Sequence, residues 1–155
     1  MRKLLFSLAL LAVLPLRLWA WGVEGHRAVG IIAEHHLSEK ARRQVAALLG
    51  TQTLALVSTQ PDEMRYLPEY KETAPWHYVN TAMGLGHDQY LQAVKGQTNP
   101  NAYNALLTKI KEMRDPAKTQ AQRAEALIFV VHIVGVSTSP CIPAAPKTRA
   151  ATTSS

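Results

Sequence analysis

The sequence predicts a helical protein with one core. Apolar residues recur at three- and four-residue spacing in several segments, no stretch alternates convincingly as a sheet, and caps and breakers fall at the ends of the periodic runs. A chain of 155 residues has length for one core and not two. Apolar residues make up 47% and charged ones 18%, a mix that can bury a core and excludes a wholly disordered chain or a coiled coil.

Residues 1–20 have the three-part build of an export signal. Arg2 and Lys3 precede an apolar run from Leu4 to Leu16, and Leu18-Trp19-Ala20 puts a small residue before an expected cut after Ala20. The apolar run ends at Arg17 and is short of the ~20 residues that span a bilayer, so a secreted or periplasmic protein is expected rather than an anchored one. Cleavage would leave Trp21 with a free α-amino group, whose unperturbed pKa near ~8 lets it lose a proton and bind a metal. The lone Cys141 permits no intramolecular disulfide, so the exported domain must be held by its core or by a metal.

Between residues 26 and 49 the positions Val29, Ile32, Ala33, Leu37, Val45, Leu48 and Leu49 read as two helices, with Ser38 capping the second and Gly50 ending it. Residues 53–66 are expected to be helical, with Pro61 opening a new turn and Asp62 and Glu63 in its acidic first positions. Residues 67–101 contain the breakers Pro68, Pro75, Gly84, Gly86, Gly96 and Pro100 and read as loops around a short extended piece, Trp76-His77-Tyr78-Val79. Two further helices are expected, over 102–113, ending before Asp115-Pro116, and over 119–134, ending at Gly135. There is no internal repeat. From Val136 onward 15 of 20 residues are Ser, Thr, Pro or Ala, so residues 136–155 are expected to be a disordered tail.

The net charge of +6 suggests a polyanion partner until the charges are located. Arg2, Lys3, Arg17, Lys147 and Arg149 lie in the first and last 20 residues, which hold no acid, and leave 12 basic against 11 acidic residues in the middle. Such a domain has no broad electrostatic footprint for nucleic acid, so any phosphate must be bound at a local site.

Four residues of that middle could carry chemistry. His26 opens the first helix five residues after Trp21, and alone it reads more readily as a solvated histidine at a helix start. Asp62 alone could be a cap or serve the helix dipole. His77, between Trp76 and Tyr78, needs a partner if buried. His132 is the most informative, because it interrupts the apolar run from Ala126 to Val134; a core imidazole there must be hydrogen-bonded or bound to metal. His35, His36 and His87 read as surface residues, since Glu34-His35-His36 lacks the i, i+4 pairing of a helical zinc motif. The order Trp, His, Asp, His, His suits zinc, and zinc ions a few ångström apart acidify a water and clamp a phosphodiester. Spacing alone does not establish that chemistry.

Four motifs carry a resemblance. Trp21-Gly22-x-x-Gly25-His26-Arg27-x-x-Gly30-x-Ile32-Ala33-Glu34, Ser58-Thr59-Gln60-Pro61-Asp62-Glu63-x-Arg65, Pro75-Trp76-His77-Tyr78-Val79-Asn80 and Phe129-Val130-Val131-His132-Ile133-Val134-Gly135 resemble, in order, the zinc-dependent nucleases of the S1/P1 type. The resemblance runs from Trp21 to Gly135, roughly the N-terminal half of such an enzyme. It implies an all-α, multi-helix fold of the phospholipase C/nuclease kind and three zinc ions. The implied activity is cleavage of single-stranded DNA or RNA to 5′-phosphate products, often with 3′-nucleotidase activity. Carried over residue by residue, Trp21 (amine and carbonyl) and His26 are similar to ligands of one zinc. Asp62, His77 and His132 are similar to ligands of another, with Asp62 also orienting the attacking water. A single-stranded nucleic acid or nucleotide is the implied substrate, with no membrane and no obligate protein partner evident. Gln60 departs from the family's usual Trp without removing a ligand. The alternatives are a phospholipase C of the related zinc-dependent type and a non-enzymatic secreted fragment that binds zinc.

The larger departure follows Gly135. The family continues Gly-Asp-x-His-Gln-Pro-x-His, whereas this chain reads Gly135-Val136-Ser137-Thr138-Ser139-Pro140-Cys141-Ile142. Val136 and Ile142 cannot bind a metal, so the third zinc site and the bridge between the other two are missing. The genetic code offers a reason. Losing one base from a GAT codon turns Asp-Ile-His-Gln-Pro-Leu-His into Val-Ser-Thr-Ser-Pro-Cys-Ile, and residues 147–153 re-read one base back as Asp-x-Gly-Gly-Asn-Asp. The sequence therefore suggests a frameshifted, truncated nuclease with little or no activity of its own.

Overall fold

A computed structural model of the protein describes residues 22–138. The expected leader, Trp21 and residues 139–155 of the expected tail lie outside the described residues. Within them the chain forms α1 (Gly22–His36), α2 (Glu39–Leu49), α3 (Leu54–Val57), α4 (Gln60–Met64), a 3-10 helix (Pro68–His77), α5 (His87–Lys95), α6 (Ala102–Arg114) and α7 (Gln120–Ser137). There is no strand among the described residues, so the fold is all-α, as the sequence predicts. No helix among them is long and apolar enough to cross a membrane.

The punctuation explains most boundaries. The Ser38 side chain accepts from the Ala41 N–H to cap α2, and Gly50, at φ 64°, turns the chain away in a conformation that favours glycine. Thr53, Asn101 and Thr119 cap α3, α6 and α7 in the same way, and Thr119 with Gln122 forms a reciprocal capping box. Pro61 lies in the first turn of α4, where its missing N–H costs nothing.

Three local expectations need correction. Trp76 and His77 are not extended: they close the 3-10 helix, and extended backbone begins at Tyr78 (φ −155°, ψ 161°). Residues 67–101 are not mainly loop, because they also contain α5, bounded by Gly86 and Gly96. Gly135 does not end the last helix: α7 continues through Ser137, with the Thr138 N–H bonded to the Val134 carbonyl, so Val136 and Ser137 belong to a helix and not to a tail.

α7 is the central element. It packs most extensively on α6 and also touches α1, α2, α3, α4 and the 3-10 helix. Its two sides serve two apolar clusters. Leu127 joins Leu49, Leu54 and Val57, while Phe129 and Ile133 join Ala102 and Ala105, with Trp76, Tyr70 and Met64 packed around them. A helix surrounded in this way needs apolar residues on nearly all sides, which is why α7 shows no single stripe. His132 lies between the two clusters and is 1% exposed.

Candidate metal centre

Four titratable side chains from four elements meet beside α7. His26 comes from α1, Asp62 from α4, His77 from the end of the 3-10 helix and His132 from α7. The Asp62 carboxylate is the hub: Oδ1 lies 3.4 Å from His77 Nδ1 and 3.9 Å from His132 Nε2, and Oδ2 lies 3.8 Å from His26 Nε2. The His26 and His132 rings stack at 4.3 Å between centroids and 17° between planes, and His77 meets His132 edge-on at 4.7 Å.

Local sequence makes these approaches possible. Gly30 rests directly on the backbone of Leu54 and Ala55; a Cβ there would come within 2.7 Å of Ala55 main-chain atoms. At the other side of His26, a Cβ on Gly135 would collide with His26 Nδ1, so α7 can lie against the imidazole only with glycine at that position.

The tautomer of His132 follows from its partners. Nδ1 lies 2.8 Å from the Ser58 carbonyl oxygen, which can only accept, so Nδ1 carries the proton and donates it. Nε2 is left with a lone pair directed at His77 Nδ1, 2.8 Å away, and toward Asp62. A histidine bonded through one nitrogen to a backbone carbonyl, with the other free, is a common arrangement of a metal ligand.

Protonation favours the same use. Burial pushes His132 down to about 4, against the opposing pull of the Ser58 carbonyl bond, so its approach to Asp62 is not an ion pair at neutral pH. Burial also lowers His26, outweighing the raising effect of Asp62. The His77 hydrogen bond holds the Asp62 carboxyl below its ordinary range despite burial. Around an Asp62 carboxyl held in its anionic form, burial thus keeps the His26 and His132 imidazoles toward the neutral side.

Spacing tests the fit to a cation. Ligand atoms about 2.0 to 2.2 Å from a tetrahedral zinc stand about 3.3 to 3.6 Å from each other. The triangle of His77 Nδ1, His132 Nε2 and Asp62 Oδ1 has edges of 2.8, 3.4 and 3.9 Å, which bracket that value. His26, Asp62 and His132 also offer ligand atoms within 4.8 Å of one another. His26 Nδ1 and His77 Nε2 are buried without a hydrogen-bond partner, a cost of about 1–3 kcal/mol each for a neutral group.

The structure thus brings together His26, Asp62, His77 and His132; Trp21 lies outside the described residues. His35, His36 and His87 are exposed, as the sequence predicts. Sequence reasoning missed three participants: the Ser58 carbonyl, Gly135 and Arg65. Arg65 follows Asp62 by three residues, its guanidinium 3.8 Å from Asp62 Oδ1, with Nε buried and unpartnered. The i, i+3 relation to Asp62 across α4 and its C-cap was the available signal.

Beside His77 a cleft of about 550 Å³ opens between the extended backbone after the 3-10 helix, α5, α6 and the end of α7. Tyr78, Tyr90 and Tyr103 line it together with Lys95 and apolar residues of α5, α6 and α7, including Val136.

Residues 21–140 match the S1/P1 nuclease family. Among similar proteins, Nuclease P1 of Penicillium citrinum is 25% identical over 77% of this chain and 46% of its own length. Endonuclease 4 of Arabidopsis thaliana is 39% identical over 74% of this chain and 42% of its own, and Endonuclease 2 of the same plant is 29% identical over the same shares. The chain spans less than half the length of these relatives.

Proposed function

Since the chain belongs to the S1/P1 nuclease family, we propose that its centre is that of a zinc-dependent phosphodiester hydrolase acting on single-stranded DNA or RNA to give 5′-phosphate products, and on 3′-nucleotides. The observation that carries this reading is the meeting of Asp62, His77 and His132 within 3.9 Å around one point. Asp62, His77 and His132 would hold one zinc; Trp21 and His26 would contribute to a second. When bound, zinc supplies Lewis-acid polarisation of the phosphodiester and acidifies a water.

The chain's own residues support the remaining steps. Asp62, anionic and shared between His77 and His26, orients the attacking water. Arg65 places a fixed positive charge 3.8 Å from Asp62 Oδ1, where it can face a phosphate oxygen. Tyr78 and Tyr90, both nearly half exposed at the cleft, offer faces on which bases can stack.

Val136 brings no ligand, so the chain as written holds an incomplete set and is expected to cleave slowly or not at all. Export of the protein and a shifted reading frame after Gly135 are parts of the same proposal. The test uses the full chain, stripped with EDTA and reloaded with zinc. Zinc should raise the Tm, with EDTA reversing it, and Asp62→Asn should abolish the shift. Absence of any shift would overturn the metal reading. Cleavage of single-stranded DNA at a rate typical of the family would overturn the claim of incompleteness. Hydrolysis of phosphatidylcholine in preference to DNA would favour the phospholipase alternative. Resequencing across codons 135–138 should show Asp-x-His-Gln-Pro-x-His in the neighbouring frame; no such frame would make the tail authentic.

A further inference from the structure

One side chain remote from the centre ties α1 to α3. Glu34, near the end of α1, accepts a hydrogen bond from the Leu54 N–H through Oε1 at 2.7 Å, across 20 residues of sequence. Leu54 is the first residue of α3, so its N–H has no partner within the helix. Thr53 already caps Leu56, which leaves the Leu54 donor to Glu34. The backbone carbonyl of Glu34 in turn accepts from the Arg42 guanidinium at 3.1 Å, tying this point to α2 as well.

What Glu34 holds leads to the centre. Gly30, one turn earlier on α1, sits against the Leu54–Ala55 backbone with no room for a methyl group. The Ser58 hydroxyl donates to the Ala55 carbonyl at 2.8 Å, and the Ser58 carbonyl accepts from His132 Nδ1 at 2.8 Å. Ser58 is fully buried, and Asp62 follows it by four residues, its N–H bonded to the Thr59 carbonyl. Moving α3 along α1 therefore moves both the carbonyl that selects the His132 tautomer and the carboxylate at the hub.

We propose that Glu34 is a positioning residue for the metal centre, setting through the Leu54 N–H the place of the segment that carries the Ser58 carbonyl and Asp62. The proposal rests on the metal reading above. Glu34 touches no ligand, so its contribution is geometric. Supporting partners of metal ligands commonly matter ten- to a hundredfold in affinity.

Cobalt(II) is the probe, because its visible absorption reports coordination geometry independently of activity. The full chain, Glu34→Ala, Glu34→Gln and Glu34→Asp are stripped and titrated with cobalt, and the Tm of each metal-free protein is recorded. Glu34→Gln keeps an oxygen acceptor of the same reach and should keep the affinity within about threefold and the parent spectrum. Glu34→Ala should lose ten- to a hundredfold in affinity and show an altered spectrum. Should the alanine variant fail to fold, Glu34→Asp carries the test: one methylene too short to reach Leu54 in place, it should weaken binding and alter the spectrum too. Parent-like affinity and spectrum in Glu34→Ala or Glu34→Asp overturn the positioning role, as does a lowered metal-free Tm with an unchanged cobalt spectrum. Failure of the parent chain itself to bind cobalt would overturn the metal reading instead.

Discussion

Replacing Gly135 by alanine sets two effects of opposite sign against each other. Gly135 lies inside α7, and alanine is the better helix former by about 1 kcal/mol in a helix interior. Against that, the new Cβ would collide with His26 Nδ1 and stand only 3.2 Å from Cε1 and 3.4 Å from Cγ. The ring has little room to yield, because it is 6% exposed and stacked on His132. Overpacking a buried site costs about 1–3 kcal/mol. The collision wins, and Gly135→Ala should lose about 1 kcal/mol net, or about 4 °C in the Tm of the metal-free protein. The assay is urea or thermal unfolding of the EDTA-treated chain in four forms: parent, Gly135→Ala, His26→Ala and the double variant. Without the imidazole the collision is gone, and the same Gly135→Ala change should become neutral or stabilising. The two positions should thus couple by about 1–3 kcal/mol. A Gly135→Ala protein as stable as its parent, or an equal penalty in both backgrounds, would refute the packing of α7 against His26.

Two further outcomes follow from the same centre. In the metal-free protein His132 is held near 4 against about 6.5 in the unfolded chain, so the unfolded state binds the extra proton first: the stability is complete above about pH 6.5 and declines as pH falls toward 4, by about 3 kcal/mol. Urea midpoints at pH 7.5 and 5 check this, and a level profile would show that the imidazole is not kept neutral by burial. Val136→Asp should raise bound zinc toward a second equivalent after dialysis, because it adds a carboxylate one turn beyond His132 and next to the residue that faces the unpartnered His26 Nδ1. Metal analysis showing the same ratio as the parent would mean that the second position needs ligands from beyond residue 138.

The helices were legible where punctuation and periodicity agreed. Ser38 and Gly50 mark ends that the structure keeps, and the expected helix starts at 102 and 119 fall within one residue of those of α6 and α7. The stretch 67–101 was not legible, because a 3-10 helix has a period near three and here starts on Pro68 and contains Pro75, both of which read as breakers. α5 was hidden for a different reason: nine residues between two glycines bury only Val94. At the centre, residue type singled out His132 because a polar group inside an apolar helix needs a reason. Periodicity and spacing could not bring His26, Asp62 and His77 to it, since three-dimensional proximity has no local signature; only the resemblance of the four motifs implied that these residues serve neighbouring metal positions. The Ser58 contribution was invisible in principle, being a main-chain oxygen.

The central position of α7 has a consequence for how the molecule assembles. It follows all the other described helices in the chain, yet it supplies side chains to both apolar clusters and the imidazole that completes the centre. During synthesis, at roughly 5–20 residues per second, α1 to α6 would emerge before either cluster has its middle. His26, Asp62 and His77 have no fourth side chain to gather around until that last segment docks. Core closure and the gathering of these four side chains then coincide, so a newly made chain assembles the centre no earlier than it closes its core.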